Sequence, residues 1–150
     1  MKLEGKHTFQ APQERVWDLL TQREHLEKAL PGCQKLEERE PGKFDALLKI
    51  GVAAVKGTYS GKVEVADPEP PKRYRLVGEG SGSAGFVTGE AIIELDQQDQ
   101  STLVTYQAEV QVGGLIAGVG QRMLAGVAKM MMDQFFKNME QELNSQGGEN

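Results

Sequence analysis

The stretch that decides the fold runs from residue 112 to residue 143 and reads VGGLIAGVG (112–120) followed by QRMLAGVAKMMMDQFFKNMEQEL (121–143). Its second part has the periodicity of a long helix and carries five of the six methionines of the chain. At about 100° per residue, the charged side chains form one narrow stripe, and apolar side chains occupy most of the remaining surface. The sequence therefore predicts a largely buried helix, which serves as part of a solid core or as the adaptable wall of an apolar cavity.

Length and composition limit the class of protein. The 150 residues fit one domain, which we predict to span residues 1–144, followed by a disordered polar tail at residues 145–150. The net charge of −5 is spread along the chain without a basic run, which argues against nucleic acid as a partner. The sequence has a single cysteine and neither a signal peptide nor a membrane-spanning apolar run, so we expect a cytoplasmic protein.

The N-terminal part of the sequence predicts one strand and two short helices. Residues 2–9 alternate apolar and polar side chains, which is typical of a half-buried strand. Pro12 fits the first turn of a helix. Thr21, with Glu24 three residues later, has the pattern of a capping box and predicts the start of a second helix, which a Pro-Gly turn at residues 31–32 ends.

From residue 34 to residue 112 the hydrophobic period is two, which predicts six further strands. Turn signals divide this segment at residues 41–42, 51, 67–71 and 96–100. One side of each strand is apolar and the other polar, so the sheet buries one face only. The C-terminal helix is long enough to cover that face. We therefore predict an α+β fold with an antiparallel sheet of about seven strands around the helix.

Glycine recurs on the inward-facing side of the predicted strands, where it removes side chains from the interior. The positions are Gly57, Gly61, Gly78, Gly80, Gly85 and Gly89. One interpretation is that these glycines let the sheet curve around the helix. The other is that they leave unfilled volume, which would form an apolar pocket together with the methionine-rich helix. The two interpretations are compatible, and both stay open at this point.

Groups able to carry chemistry are few. His7 lies on the inward side of the first strand, where we expect a hydrogen-bonded structural histidine. His25 falls in a charged helix and is expected to be solvated, and Glu140 and Glu142 are expected to be surface charge. Cys33 has no second cysteine or histidine at a metal-ligand spacing. The sequence therefore predicts neither a catalytic residue nor a metal site.

Five short sequence motifs, in this order along the chain, resemble those of the family of the G-type subunit of carbon monoxide dehydrogenase. That family is within the START-like, helix-grip superfamily, which includes polyketide cyclases (SRPBCC). The motifs are Phe9-x-Ala11-Pro12-x-Glu14-x-Val16-Trp17, Leu30-Pro31-Gly32-Cys33, Val55-Lys56-Gly57-Thr58-Tyr59-x-Gly61, Gly80-x-Gly82-x-Ala84-Gly85-Phe86, and Val112-Gly113-Gly114 with Gln134-Phe135-Phe136. The order of predicted elements also resembles that superfamily.

The resemblance implies a curved sheet that holds an apolar ligand against the long helix. It implies a non-catalytic accessory of a molybdenum hydroxylase of the carbon monoxide dehydrogenase type. A quinone or other lipid would be the ligand, and no covalent cofactor is expected. Peripheral contact at the inner face of the membrane is also implied. Some members use an extended tail for this contact, whereas this chain has a short polar end, so the exposed loop at residues 115–117 would have to provide it.

We predict that the cavity is lined by side chains and one glycine from the strands and the long helix. These are His7, Phe44, Leu48, Val55, Tyr59, Leu76, Gly78, Phe86, Tyr106, Met123, Leu124, Val127, Met131 and Phe135. A glycine-flanked apolar loop carries Leu115, Ile116 and Val119, and could gate the cavity, touch a bilayer or partner, or simply cap the core.

Two other classes of function stay open. The first is a cyclase-like or hydrolase-like enzyme acting on an aromatic or polyketide substrate, with His7, Tyr59, Tyr106 or Glu90 as acid and base groups. At least two of these groups would have to face one cavity. The second is a pure protein-docking module, in which the helix belongs to a solid core and the loop at residues 115–119 forms the docking patch.

Overall fold

The computed structural model describes residues 1–147, which form one seven-stranded sheet, three α-helices and two 3₁₀ turns. The elements are β1 (Lys2–Phe9), α1 (Gln13–Thr21), α2 (Arg23–Ala29), β2 (Cys33–Glu40), β3 (Lys43–Ile50), β4 (Gly57–Glu69), β5 (Arg73–Gly82), β6 (Gly85–Gln98), β7 (Ser101–Gly113) and α3 (Gln121–Gly147). The 3₁₀ turns cover Ala53–Val55 and Leu115–Val119.

The sheet is antiparallel throughout, with strand order β1-β7-β6-β5-β4-β3-β2. Strands β2 to β7 follow one another as hairpins, and β1 returns to pair with β7, from Lys2 opposite Glu109 to Phe9 opposite Thr102. The predicted α+β class, the first strand and the six further strands are confirmed. Period-two alternation was sufficient to identify these strands because each one buries a single face.

Three local predictions differ from the structure. Thr21 is the last residue of α1, and its hydroxyl donates to the Trp17 carbonyl at 2.7 Å instead of capping α2, which begins after Gln22. Val55 lies in a 3₁₀ turn before β4 and not in that strand. Helix α3 continues to Gly147, beyond the predicted end of the domain, while residues 148–150 of the predicted tail lie outside the described residues.

The main core lies where α1, α2 and the C-terminal half of α3 cover the sheet. Its buried side chains are Phe9, Ala11, Val16, Leu19, Leu20, Leu26, Ala29, Leu36, Phe44, Ala46, Tyr74, Ile93, Leu95, Val104, Tyr106, Phe136, Met139 and Leu143. The backbone of α3 approaches α2 most closely and also approaches α1, β1 and the second 3₁₀ turn. The main core therefore fills only one end of the space between sheet and helix.

The prediction that α3 is largely buried is wrong for its N-terminal half. Met123 and Met130 are 55% and 49% exposed, whereas Met139 is fully buried. The difference arises because α1 and α2 pack only against the C-terminal half. None of the helices within residues 1–147 combines the length and the apolar character needed to cross a bilayer.

Candidate functional site

A second, smaller apolar cluster lies at the opposite end of the sheet from α1 and α2, and we call it the tip cluster. Its buried members are Ile50, Tyr59 and Ile116. The half-buried side chains around them are Leu48, Val52, Val55, Ala84, Val87, Val112 and Met131. The tip cluster and the main core share the inner face of the sheet, so any space between them lies beneath α3.

Two glycines on the inward-facing side of β5 have little packed against them within 4 Å. A Cβ atom added at Gly78 would have one neighbouring heavy atom within 4 Å, the Lys62 carbonyl oxygen at 3.8 Å. At Gly80 the corresponding neighbour is the Ser60 carbonyl oxygen, also at 3.8 Å. No described atom of α3 lies within 4 Å of either Cβ position. We call this region above Gly78 and Gly80 the chamber.

Gly61 has a different role from the chamber glycines. A Cβ at Gly61 would overlap the Glu79 carbonyl oxygen of the neighbouring strand, because β4 and β5 come very close together there. Gly61 therefore permits the bend of the sheet, whereas Gly78 and Gly80 leave space above it. The bending interpretation therefore applies to Gly61, and the pocket interpretation stays a prediction for Gly78 and Gly80.

The segment between β7 and α3 closes the tip. Gly114 and Gly120 flank its 3₁₀ turn with φ angles of 78° and 98°, a region that favours glycine. Ile116 is 4% exposed in the tip cluster, and its backbone N–H donates to the Ala84 carbonyl at 2.9 Å. Leu115 is 80% exposed, and Val119 is half-buried. One isoleucine thus anchors a turn whose other apolar side chains face outward to different degrees.

The predicted cavity residues divide between the two clusters and the chamber. Phe44 and Tyr106 are buried in the main core, and Leu76 and Phe135 pack against it. The tip cluster contains Leu48, Val55, Tyr59 and Met131. Of the remaining three, Leu124 is buried, Val127 is half-buried, and Gly78 forms part of the chamber floor. The inner face of the sheet and α3 therefore bring most of the predicted set to one side of the sheet.

Two predicted cavity residues do not face the interior. Phe86 is 51% exposed and lies on the outer face, because the inward-facing positions of β6 are its neighbours Val87 and Gly89. Its ring covers Gly113, which has no side chain to displace it. Met123 is 55% exposed on the outward side of α3. Their apolar character led to a wrong placement for both residues.

Each of the two histidines contacts a glutamate of α3. His7 Nε2 lies 2.8 Å from Glu140 Oε1, and its ring stacks on Phe136 with centroids 5.1 Å apart. His25 is 7% exposed, and its Nδ1 lies 3.0 Å from Glu142 Oε1. The expectations that His25 is solvated and that both glutamates are free surface charge are wrong. The partners are more than a hundred residues apart along the chain, so no local pattern indicates these pairs.

Of the four candidate acid and base groups, His7 and Tyr106 line one cleft between β1 and α3, whereas Tyr59 and Glu90 lie elsewhere. Glu90 lies on the outer face, where Arg75 donates to it at 2.9 Å at the edge of a groove of about 820 Å³. The Tyr59 hydroxyl donates to the Val55 carbonyl at 2.6 Å. Burial raises the pKa of both Tyr59 and Tyr106, and the charge of Asp133 raises that of Tyr106 further. Within residues 1–147, no group of three or more His, Cys, Asp or Glu side chains is arranged to hold a metal ion.

Comparisons with known proteins agree with this architecture. Residues 5–144 match the family described as the carbon monoxide dehydrogenase G-type subunit (CoxG). A conserved protein from Geobacillus kaustophilus is 40% identical, with a TM-score of 0.94 over 97% of this chain and 96% of its own. A START superfamily protein from Mycobacterium smegmatis shares the fold at 12% identity, with a TM-score of 0.75 over 96% of this chain and 97% of its own. A search of curated proteins finds no match.

Proposed function

Since the chain belongs to the CoxG family of carbon monoxide dehydrogenase proteins, we propose that it binds an elongated apolar molecule, a lipid or quinone, in the chamber beneath α3. We propose further that it acts as a non-catalytic accessory to a molybdenum hydroxylase of the carbon monoxide dehydrogenase type. The partner enzyme is inferred from the family. The apolar ligand is inferred from the family, from the helix-grip fold and from the geometry of the interior.

One observation supports ligand binding above the others, the open space over Gly78 and Gly80. Protein interiors are close-packed, and voids larger than a water molecule are few. A gap between two apolar clusters, on a face where sequence periodicity predicts a core, is therefore a candidate for occupation by an apolar molecule. A solid interior would have favoured the docking-module class instead.

The side chains around the chamber suit an apolar ligand. Val63, Leu76 and Val87 are half-buried on the inner face of the sheet, and Met131 and Phe135 are half-buried on the helix side. Methionine adapts its shape to different ligands at low cost, because it has flexible torsions and a polarizable sulfur. Burial of apolar ligand surface against such a lining stabilises the complex, and the lining discriminates only weakly between tails of different shape.

The enzyme alternative has less support. Glu90 is on the wrong face of the sheet, and the Tyr59 hydroxyl already donates to a backbone carbonyl. General acid-base catalysis requires two groups within hydrogen-bond reach of one substrate. His7 and Tyr106 line one cleft between β1 and α3, but His7 Nε2 is already paired with Glu140, and the rings of His7 and Tyr106 both stack on Phe136.

Exposed apolar side chains at the tip support contact with a bilayer. Leu115 is 80% exposed, Met123 is 55% exposed, and Phe86 is 51% exposed. All three lie near the 3₁₀ turn that closes the chamber, because Phe86 covers Gly113 and Met123 is in the first turn of α3. Apolar side chains of this kind insert into the boundary between headgroups and acyl chains.

The charge of the tip also fits an anionic membrane surface. The members of the tip cluster lie within residues 48–59, 84–87 and 112–131. These segments contain basic residues at Lys49, Lys56, Arg122 and Lys129 and no acidic residue, although the chain carries a net charge of −5. Each Lys or Arg near an anionic surface contributes about 1 kcal/mol of attraction. We infer that the tip faces the inner leaflet, from which an apolar ligand passes beneath the 3₁₀ turn.

Filling the chamber tests the proposal. Gly78→Leu from the floor and Met131→Trp from the helix are each expected to abolish binding of a farnesylated naphthoquinone, measured by calorimetry and by mass spectrometry of an organic extract. Val77→Leu is the matched control, since this neighbour is on the outer face. All three variants should keep the wild-type circular dichroism spectrum.

Unchanged binding in both chamber variants would reject the chamber as the site. The same quinone, offered in vesicles of phosphatidylglycerol or of phosphatidylcholine, tests the tip. We expect faster transfer to the protein from the anionic vesicles, and equal rates would remove membrane contact from the proposal.

A further inference from the structure

The outward face of α3 carries exposed apolar side chains in its N-terminal half. Met123 and Met130 are 55% and 49% exposed, and they lie seven residues, or about two helical turns, apart on one side of the helix. Gly126 is between them, and a Cβ atom added there would meet no other atom within 4 Å. Positions 123, 126 and 130 follow the three-and-four spacing of a helix–helix seam. This face is therefore suited to packing against a second helix.

A row of four charged side chains runs beside these methionines. Arg122, Lys129, Asp133 and Glu140 follow one another at intervals of seven, four and seven residues, which keeps them on one side of the helix. Arg122, Lys129 and Asp133 are exposed, and none of the three forms an ion pair within residues 1–147. Glu140 uses Oε1 for its contact with His7, which leaves Oε2 as an acceptor. The row thus has two positive charges followed by two negative ones.

This order of charges is complementary to itself when two helices run antiparallel. In a symmetric antiparallel pair, the same side of each helix meets the same side of the other in reverse order. With the twofold axis beside residue 131, Lys129 faces Asp133 of the second copy, and Arg122 faces its Glu140. Each of these two ion pairs occurs twice. The contact extends from residue 122 to residue 140, which is about 27 Å of helix.

The same register brings the exposed apolar side chains together. The two Met130 side chains become neighbours at the twofold axis. The Lys137 stem of the second copy lies over Gly126, and both residues line a groove of about 410 Å³ that runs along this face together with Met130. Because Gly126 has no side chain, the two helices can approach closely at that point. Apolar contact and charge pairing therefore favour one and the same arrangement.

A second antiparallel register pairs as many charges but covers the methionines less well. It would place the twofold axis between residues 134 and 135, so that Lys129 faces Glu140 and Asp133 faces Lys137. Each Met130 would then meet the polar side chains of Lys137 and Gln141 of the second copy instead of the other Met130. We therefore favour the register with the axis beside residue 131.

We propose that two copies of this chain associate through their α3 helices, packed antiparallel, with Met130 at the centre and Lys129–Asp133 ion pairs on both sides of it. This association does not depend on the proposed ligand. A single helix–helix contact is small compared with the interfaces of stable dimers, so the dimer is weak and sensitive to ionic strength. Arg122 and Lys129 are also basic residues of the tip, so one copy cannot use them for a bilayer and for a second copy at once.

Charge reversal tests both the pairing and its register. Sedimentation velocity over a series of protein concentrations at low ionic strength measures the dissociation constant of the dimer. Lys129→Asp and Asp133→Lys should each raise this constant about tenfold or more, because each variant replaces two attractions by two repulsions. An equimolar mixture of the two variants should restore association, since one then carries only carboxylates and the other only ammonium groups at positions 129 and 133. In the alternative register, the reversed charge at position 129 would face Glu140, and the mixture would stay dissociated.

A matched control makes the same change of charge elsewhere. Lys49→Asp alters an exposed lysine on the outer face of the sheet, away from α3, and should leave the dissociation constant unchanged. All three side chains are exposed, so each variant should keep the wild-type circular dichroism spectrum. Wild-type protein that stays monomeric at its highest soluble concentration would overturn the proposal. Equal weakening by Lys49→Asp, or a variant mixture that associates no better than its components, would overturn it as well. None of these results depends on whether the chamber binds a ligand.

Discussion

The two halves of helix α3 differ sharply in what they contact. In the C-terminal half, Phe136, Met139 and Leu143 are between 0% and 6% exposed in the main core. Asn138 also donates to the Ala29 carbonyl at 3.0 Å, and two histidine–glutamate pairs hold the same half against α2 and β1. In the N-terminal half, Leu124 is the one buried side chain between Gln121 and Met130.

This difference teaches that one methionine-rich sequence can serve two purposes. Met139 and Met130 lie in the same helix, yet one is fully buried and the other is half exposed. The residue type is suited both to filling a core and to lining an adaptable cavity, so the contacts on the opposite side decide which it does. Helices α1 and α2 supply those contacts at one end only.

The largest expected effect is on stability in the packed half. Met139→Ala should lower the free energy of unfolding by about 2–5 kcal/mol, because it leaves a cavity among fully buried side chains. Met131→Ala, in the open half, should cost about 1 kcal/mol or less, because that side chain is half-buried. Urea denaturation at equal protein concentration measures both. Similar losses would mean that the two halves are packed alike.

A smaller effect distinguishes bending glycines from chamber glycines. Gly61→Ala should destabilise the protein by about 1–3 kcal/mol, because its Cβ would overlap the Glu79 carbonyl oxygen. Gly78→Ala should be neutral or stabilise by about 0.5 kcal/mol, since its Cβ meets open space and the unfolded chain loses freedom. Thermal and urea unfolding provide the comparison. A loss above about 1 kcal/mol for Gly78→Ala would argue against open space there.

The smallest effects concern the two histidine–glutamate pairs. Glu142 is 12% exposed and also lies 3.6 Å from Lys28, so Glu142→Gln should cost about 1–2 kcal/mol. Glu140 is 31% exposed, and Glu140→Gln should cost about 0.5 kcal/mol or less because solvent screens its pair with His7. The order of the two losses in urea denaturation is the test. If Glu140→Gln cost more stability than Glu142→Gln, the stronger of the two pairs would be the one between His7 of β1 and Glu140.

The elements of the fold could be predicted because their signals are local. Alternation over residues 2–9 identified β1, whose observed bounds are Lys2–Phe9. Pro31 and Gly32, with a φ of 74° at the glycine, marked the turn before β2. Such features depend on backbone preferences and on which face of a strand is buried, and both can be inferred from residues that are close together in the sequence.

The site was less predictable because it depends on long-range register. Phe86 is an error of another kind, because Gly85 was already assigned to the inward-facing side and alternation places its neighbour Phe86 on the outer face. The glutamates that contact His7 and His25 became identifiable only when α3 was placed against β1 and α2. The distinction between Gly61 and Gly78 depends on how closely β4 and β5 approach, which no residue type encodes.

The return of β1 to pair with β7 has a consequence for the order of assembly. Six strands pair with their sequence neighbours, whereas Lys2 must find Glu109, across a loop of about a hundred residues. Closing a loop of that length carries the largest entropic cost in the sheet, and non-local pairing of this kind slows folding. During synthesis, the N-terminal strand emerges first but has no partner until β7 has left the ribosome. The pairing of β1 with β7, which places Gly5 opposite Tyr106, is therefore among the last parts of the sheet to form.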